Sequence, residues 1–438
     1  MRGKPPKTRT IDVNVLARVE GEGALRVILR DEHIKDVQLR IFEPPRFFEA
    51  FLQGRHINEV PDIVARICGI CPVAYQMSAV HALESILGID MPGPLRDLRR
   101  LLYCAEWIES HTLHIYMLHA PDFLGYDSGI EMARHYPDVV TRGLRLKKAG
   151  NHLLAFLGGR SVHPVSVKVG GFYKVPAKRD LANLQDELRW ARDAALETVR
   201  WVAGFEFTDQ EQDYTFVSLQ SLTEYPMNEG HIASNQGLNI AASEFETHFP
   251  EEQVPYSNAL HCSLNGGSYL AGPLARLHLN SDRLSPIAQQ ALQETGLHLP
   301  FLRVSMSIVA RSIEVLYAVD EALRLIDQYE LPDEPSMPVT PKAGIGMAAT
   351  EAPRGILYHR YQISHDGTIQ EAKIVPPTSQ NQRRIEDDLR NYLPQVLHRS
   401  NKDVAFGCER IIRSYDPCIS CATHFLKLDI QQEGKPSP

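Results

Sequence analysis

The sequence predicts an α+β protein in which helix dominates and small sheets sit towards both ends of the chain. Three observations carry that expectation. Apolar residues alternate with polar ones, broken by turn residues, over positions 10 to 43. From "PDIVARIC" onward the apolar period becomes helical over most of the chain. A hairpin pattern returns in "GILYHRYQISHDGTIQEAKIVP", centred on Asp366-Gly367.

Each element has a local reason. "TIDVNVLARVEGEGALRVILRDEHIKDVQLRIFE" reads as strands joined by turns at Gly21 and Gly23 and at Asp31-Glu32-His33. "CPVAYQMSAVHALESILG" places Pro72 at a helix start, where a missing N–H costs nothing, and Gly88 just past its end. "LRDLRRLLYCAEWIESHTLHIYMLHA" is a long helix expected to end at Pro121. Further helices are expected over 131 to 158, 177 to 203, 283 to 329 with a break near Pro300, and 380 to 398. Residues 205 to 280, rich in Asn, Gly, Ser and Thr, read as loops with short strands. There is no internal repeat, and Pro332, Pro335, Pro338 and Pro341 punctuate a loop, so a single large domain is expected.

Composition narrows the function. The 438 residues are 43% hydrophobic and 23% charged, as in ordinary globular proteins, and the net charge of −8 argues against a nucleic-acid protein. No run approaches the ~18 apolar residues of a membrane span. "MRGKPPKTRT" leads into "IDVNVLARVEGEG" without an apolar core, so no secretory signal is read and a cytoplasmic location is expected.

Seven cysteines do not make a disulfide framework. Four of them form two CxxC pairs, Cys68/Cys71 in "RICGIC" and Cys418/Cys421 in "DPCISCATH", set 347 residues apart (418 − 71). An i, i+3 spacing lets two thiolates converge on one ion, and two pairs supply four soft donors, suited to zinc, copper(I), iron–sulfur or another redox-capable centre. A structural zinc site and a thiol redox pair both remain open at this point. Against the first, zinc ribbons close short loops, whereas these pairs would clamp opposite ends of the chain. Cys104, Cys262 and Cys408 stand alone and read as buried small hydrophobes, Cys408 with some chance of lying near the centre.

The words around the cysteines go further. "GRHINEVPDIVARICGIC" and "DPCISCATH" closely resemble the two defining motifs of the nickel–iron hydrogenase large subunit. "ARVEGEG", "FFEAFLQGR", "HPVSVKVGG", "EAPRGILYH" and "IVPPTSQNQRRIEDDL" match in order, so the resemblance covers roughly residues 11 to 424. It implies a central helix bundle with small peripheral sheets, forming one domain over 1–424. Residues 425–438 are then a C-terminal extension cut off after His424 on maturation.

The same resemblance implies roles. Cys68 and Cys418 would be terminal nickel ligands, and Cys71 and Cys421 would bridge nickel to an iron carrying CO and cyanide. Cleavage of H2 is heterolytic, so the electron pair needs a metal and the proton a base. Cys418 would take the proton and Glu20 relay it. Arg354 would hang over the open metal site. Glu49, His424 and a main-chain carbonyl near Asn381 would hold magnesium. Tyr75, Ser110 and Glu22 depart from the respiratory members, where His, Asp and His stand, while Asp416 is kept. "IFEPPRFFEA" and "ESHTLHIYMLHAPDF" look most like the cytoplasmic, NAD(P)-linked branch that includes the sulfhydrogenases. That branch implies a hetero-oligomer with a small iron–sulfur subunit and flavin/NAD(P) diaphorase subunits, plus a maturation chaperone and a C-terminal endopeptidase. "GIGMAATEAPRG" does not supply the G-x-G-x-x-G of a dinucleotide site, so iron–sulfur clusters, flavin and NAD(P) belong to partners. Two other readings compete: a non-catalytic relative serving as a structural subunit of a redox complex, and an interaction protein stapled by four-cysteine zinc.

Overall fold

The computed structural model describes residues 8–31, 33–91 and 93–423. Helices form its centre. Helix α1 is the short Phe48–Leu52, α2 is Pro72–Leu87, α3 Pro94–Leu113, α4 Pro137–Gly158 and α5 Gln185–Ala203. They are followed by α6 Pro273–Asn280, α7 Ser307–Gln328, α8 Pro377–Val396 and α9 Asn401–Ser414. Helix α3 packs on α4 and α7, and α7 packs on α5. Small residues set the closest approach: a Cβ on Gly150 of α4 would lie 2.8 Å from the Glu109 amide nitrogen of α3. Proline begins α2, α3 and α4, where its fixed φ suits the first turn.

The sheets are small and peripheral, as expected. Strands β1 Thr8–Val13, β2 Gly23–Arg30 and β3 His33–Ile41 form an antiparallel meander whose inner face carries Leu25, Val27, Leu29, Val37 and Leu39. The hairpin expected at Asp366-Gly367 joins β5 Gly355–Ile363 to β6 Ile369–Val375. A third strand, β4 Gly344–Ala352, completes that sheet and lies against α2. Its sequence "GIGMAATEA" has small residues in place of a clear apolar alternation. The reason is packing, since a Cβ on Gly346 would lie 2.1 Å from the Ala82 carbonyl of α2.

Four expectations need correction. Pro121 does not end the helix after α3. The chain instead passes through a π-helical turn, His114–His119, into Ala120–Leu124, so Pro121 falls in the first turn of a new segment. The helix expected over 283 to 329 is two, Pro286–Glu294 and α7, separated by a wider break than Pro300 alone suggested. That over 177 to 203 splits into Lys178–Ala182 and α5. Helices α6 and α9 were not foreseen: α6 lies in the segment read as loops and short strands.

A buried ionic cluster ties the bundle to the β4–β5 turn. Arg276 of α6 is fully buried, bonds Glu314 of α7 at 2.7 Å and Glu351 of β4 at 2.9 Å, and lies 4.4 Å from the centre of the Trp107 ring. It also donates to the carbonyls of Ala352 and Pro353, both at 2.9 Å, just before Arg354. Removing one member of a buried charge group strands the others. Arg276→Met is therefore expected to lower stability by about 3–5 kcal/mol, read as a lower midpoint of urea unfolding; an unchanged midpoint would show that the cluster does not hold the turn.

Candidate metal centre

Both cysteine pairs sit where regular structure stops. A short helix Val60–Val64 tightens into a 3-10 turn, Ala65–Ile67, and breaks to extended backbone at Cys68. Cys71 stands immediately before Pro72, the first residue of α2. The amides of Ile70 and Cys71 both donate to Cys68 Sγ at 3.3 Å, which fixes that sulfur inside its own turn. At the other end of the chain α9 closes, Asp416 takes a left-handed φ of 55°, and Cys418 enters a parallel bridge with Glu20. The Ile419 amide donates to the Glu20 carbonyl at 3.0 Å, and the Cys418 amide to Thr378 Oγ1 at 3.0 Å.

Arg46 joins the two cysteine segments directly. One of its guanidinium nitrogens reaches the carbonyl of Ile67 at 2.7 Å and also that of Ser420. The result is a closed cluster: the four sulfurs of Cys68, Cys71, Cys418 and Cys421 lie within 4.8 Å of one another, and all are buried. Across the segments Cys68 faces Cys418 at 3.5 Å and Cys71 faces Cys421 at 3.6 Å, and none is in a disulfide. Hydrogen bonds from Cys418, Cys421 and Cys71 hold Cys68 well below the ordinary thiol range, while burial pushes Cys418 up. Four convergent buried thiols with one already favoured as thiolate fit a soft metal ion, whose charge would favour deprotonation of the rest. Cys104, Cys262 and Cys408 are buried and stay outside this cluster; burial pushes Cys262 and Cys408 up to about 12.

The expected companions of the thiols are mostly brought together. Cys418 Sγ lies 3.1 Å from Glu20 Oε2, and the Ser420 amide donates to the same oxygen at 3.0 Å. Arg354 occupies the tight turn between β4 and β5 and is 3% exposed. Its Nε donates to the Asp416 carbonyl at 2.7 Å and one Nη to Asp416 Oδ1 at 3.1 Å, leaving Nη1 buried without a partner among the described residues. Burial opposes its charge, but Asp416 and the neighbouring cysteines outweigh that and raise its pKa.

Glu49 of α1 accepts from the Ile374 amide of β6 at 2.7 Å, and burial pushes its carboxyl up to about 7. His424 lies outside the described residues. The side chain of Asn381 turns elsewhere: its two amide atoms pair with the backbone of Ala271 at 2.9 and 3.0 Å. Tyr75 is buried with its ring 5.8 Å from that of His359, and Ser110 is buried with no partner for its hydroxyl among the described residues. Glu22 only places its amide on Glu43 at the surface. Sequence reasoning missed Arg46 and Thr378 as anchors. Both sat inside quoted motifs, Thr378 in "IVPPTSQNQRRIEDDL" and Arg46 in "IFEPPRFFEA", but the role of Arg46 depends on two carbonyls far away in sequence.

A helix-centred fold closing four buried thiols on one point, with a buried arginine held by Asp416 nearby, defines a soft-metal-binding protein. Comparison with known proteins makes this specific: the profile of the nickel-dependent hydrogenases matches residues 46–131 and 218–424. The chain belongs to that family and is a hydrogenase large subunit, an oxidoreductase acting on H2. It is 31% identical to sulfhydrogenase 1 subunit alpha of Pyrococcus furiosus, over 95% of this chain and 98% of that one. It is 27% identical to the NAD-reducing hydrogenase HoxS subunit beta of Cupriavidus necator, over 96% and 95% of the two chains. A crystal structure of an NAD+-reducing [NiFe]-hydrogenase in the H2-reduced state superposes with a TM-score of 0.86 at 26% identity, covering 95% of this chain and 99% of that one.

Substituting one thiol tests the centre. Cys421→Ser replaces a soft donor with a hard one and is expected to cut bound nickel by at least about ten-fold, the lower end of what even indirect losses cost a metal site. Elemental analysis of the folded chain measures it, and full nickel content would place the ion elsewhere.

Proposed function

We propose that this large subunit works in the cytoplasm as the catalytic part of an NAD(P)-linked nickel–iron hydrogenase. The observation that carries the reading is the Glu20 carboxylate 3.1 Å from Cys418 Sγ, inside the closed four-cysteine cluster. Cys68 and Cys418 would be terminal ligands of nickel, with Cys71 and Cys421 shared with an iron bearing CO and cyanide. When bound, the metals supply the site at which the H–H bond is split and its electrons are taken up.

The chain's own residues handle the proton. Cys418 Sγ and Glu20 Oε2 are within hydrogen-bond reach, so a proton on sulfur passes to the carboxylate without rearrangement. The Ser420 amide holds that carboxylate oxygen in place. Behind it, Arg18 donates to Asp122 and to the Leu118 carbonyl at 2.8 Å, and Arg413 donates to the Ala17 carbonyl at 3.2 Å, so the loop carrying Glu20 is braced two and three residues away. Arg354, pinned at two points by Asp416, presents its remaining Nη1 as a preorganised donor, which needs no reorientation as charge develops.

Glu49 and His424 are proposed to hold magnesium. A main-chain carbonyl near Asn381 would complete the protein part of that site; the Asn381 side chain itself pairs with the backbone of Ala271. Electrons are proposed to leave through a small iron–sulfur subunit to flavin/NAD(P) subunits, a reading supported by the NAD-reducing and sulfhydrogenase relatives. No helix among the described residues is long and apolar enough to cross a membrane. Removal of residues 425–438 after His424 by a maturation endopeptidase, with a chaperone's help, completes the proposal, with 1–424 as the single working domain.

Two measurements test it. Elemental analysis should find nickel and iron near one each per chain, with infrared bands from metal-bound CO and cyanide; zinc alone would sink the reading. Glu20→Gln should retain both metals yet lose about 10²–10⁴-fold in H2 oxidation, the range of a lost general acid–base group. Full turnover in that variant would reject the relay.

A further inference from the structure

Cys71 occupies the position just before the first turn of α2, where a Ser, Thr or Asp side chain normally takes the helix's free amides. Its thiol makes no such bond, and Pro72 has no amide to satisfy. The next two amides are nevertheless satisfied. Val73 N–H donates to Glu106 Oε2 at 2.6 Å and Ala74 N–H to Glu106 Oε1 at 3.1 Å. Glu106 comes from another helix, α3, is fully buried, and has no lysine or arginine ion-pair partner among the described residues.

We propose that Glu106 is a positioning residue for the metal centre: it caps α2 in place of Cys71 and so leaves that thiol free to face the other three. Every buried amide needs an acceptor, and the side chain at the cap position, here Cys71, is the one whose place in the helix start suits it to serve without Glu106. A thiolate at a helix start is well placed to accept from its own first turn. Such a bond would draw the sulfur toward α2 and away from Cys421, which it now meets at 3.6 Å. The two-point contact also references the start of α2 to α3, which the close approach at Gly150 locks to α4. The inference rests on reading the four thiols as the nickel site.

The test compares Glu106→Met, which offers the amides no oxygen, with Glu106→Gln, which keeps one, in the enzyme purified with its partner subunits. Three readouts are taken: the g-values of the nickel paramagnetic resonance, turnover with H2, and deuterium uptake across residues 72–76 in the metal-free chain. Glu106→Met is expected to shift the g-values, speed uptake and cut turnover by about a hundred-fold, the cost of misplacing a reacting group by ~1 Å. Glu106→Gln is expected to restore the unaltered g-values and most of the turnover. Unchanged g-values and turnover in Glu106→Met would overturn the proposal. So would a folded, nickel-loaded Glu106→Gln as impaired as Glu106→Met, since that outcome assigns the carboxyl a charge or proton role. If Glu106→Met does not accumulate, Glu106→Gln decides alone: unaltered g-values uphold the cap, and displaced ones overturn it. An unmodified enzyme in which elemental analysis finds no nickel would instead remove the nickel reading, a failure seen before any variant is compared.

Discussion

Bringing four sulfurs from opposite ends of a long chain into one buried pocket is the constraint on which the rest of this structure depends. The two segments share no sequence neighbours, so their register must be set by groups that touch both. Arg46 does this on one side, bridging the carbonyls of Ile67 and Ser420. On the other, Asp122 accepts from Arg18 of the N-terminal loop and from Arg413 of α9, through two bonds of 2.8 and 2.9 Å to the latter. A single carboxylate therefore ties the loop bearing Glu20 to the helix that leads into Cys418.

Charge is the second half of the same constraint. Thiolates in a water-free interior are costly unless compensating charge lies close by. The residues around the centre supply it with unusual commitment. Arg354 is buried against Asp416, and Arg311 is buried with its nitrogens on the carbonyls of Ser414 and Tyr415 at 3.1 and 3.2 Å. Burial lowers the Arg311 pKa to about 10, with Asp416 opposing that shift, so the group still carries its charge at neutral pH. Arg354, whose charge interacts with Cys418, Cys71 and Cys68, favours their thiolate forms, while Arg311 braces the backbone that leads into Cys418.

Much of this was legible in the sequence, for identifiable reasons. Pro72 and Gly88 marked α2 correctly because caps are local chemistry, and Asp366-Gly367 marked its hairpin for the same cause. The four cysteines were legible because i, i+3 spacing is itself the geometry of convergence. What stayed hidden was tertiary. β4 does not read as a strand, since its glycines answer to the Ala82 carbonyl and not to an alternation of its own. The helix through Pro121 survives because a π turn absorbs the mismatch, which no periodicity count detects. Glu106 looks like an ordinary residue of α3 until the amides of another helix are found upon it.

The placement of one cysteine pair near each end also has a consequence in time. A ribosome adding 5–20 residues per second needs roughly 20–70 seconds to travel from Cys71 to Cys418. Throughout that interval the first pair exists without the second, on a nascent chain whose two exposed sulfurs could be captured by any passing soft ion. No part of the pocket can discriminate between ions until the last segment arrives and its walls close. Choice of metal therefore cannot be a property of the growing polypeptide. It has to be deferred to the finished one, and the molecule's architecture makes loading a separate event from synthesis.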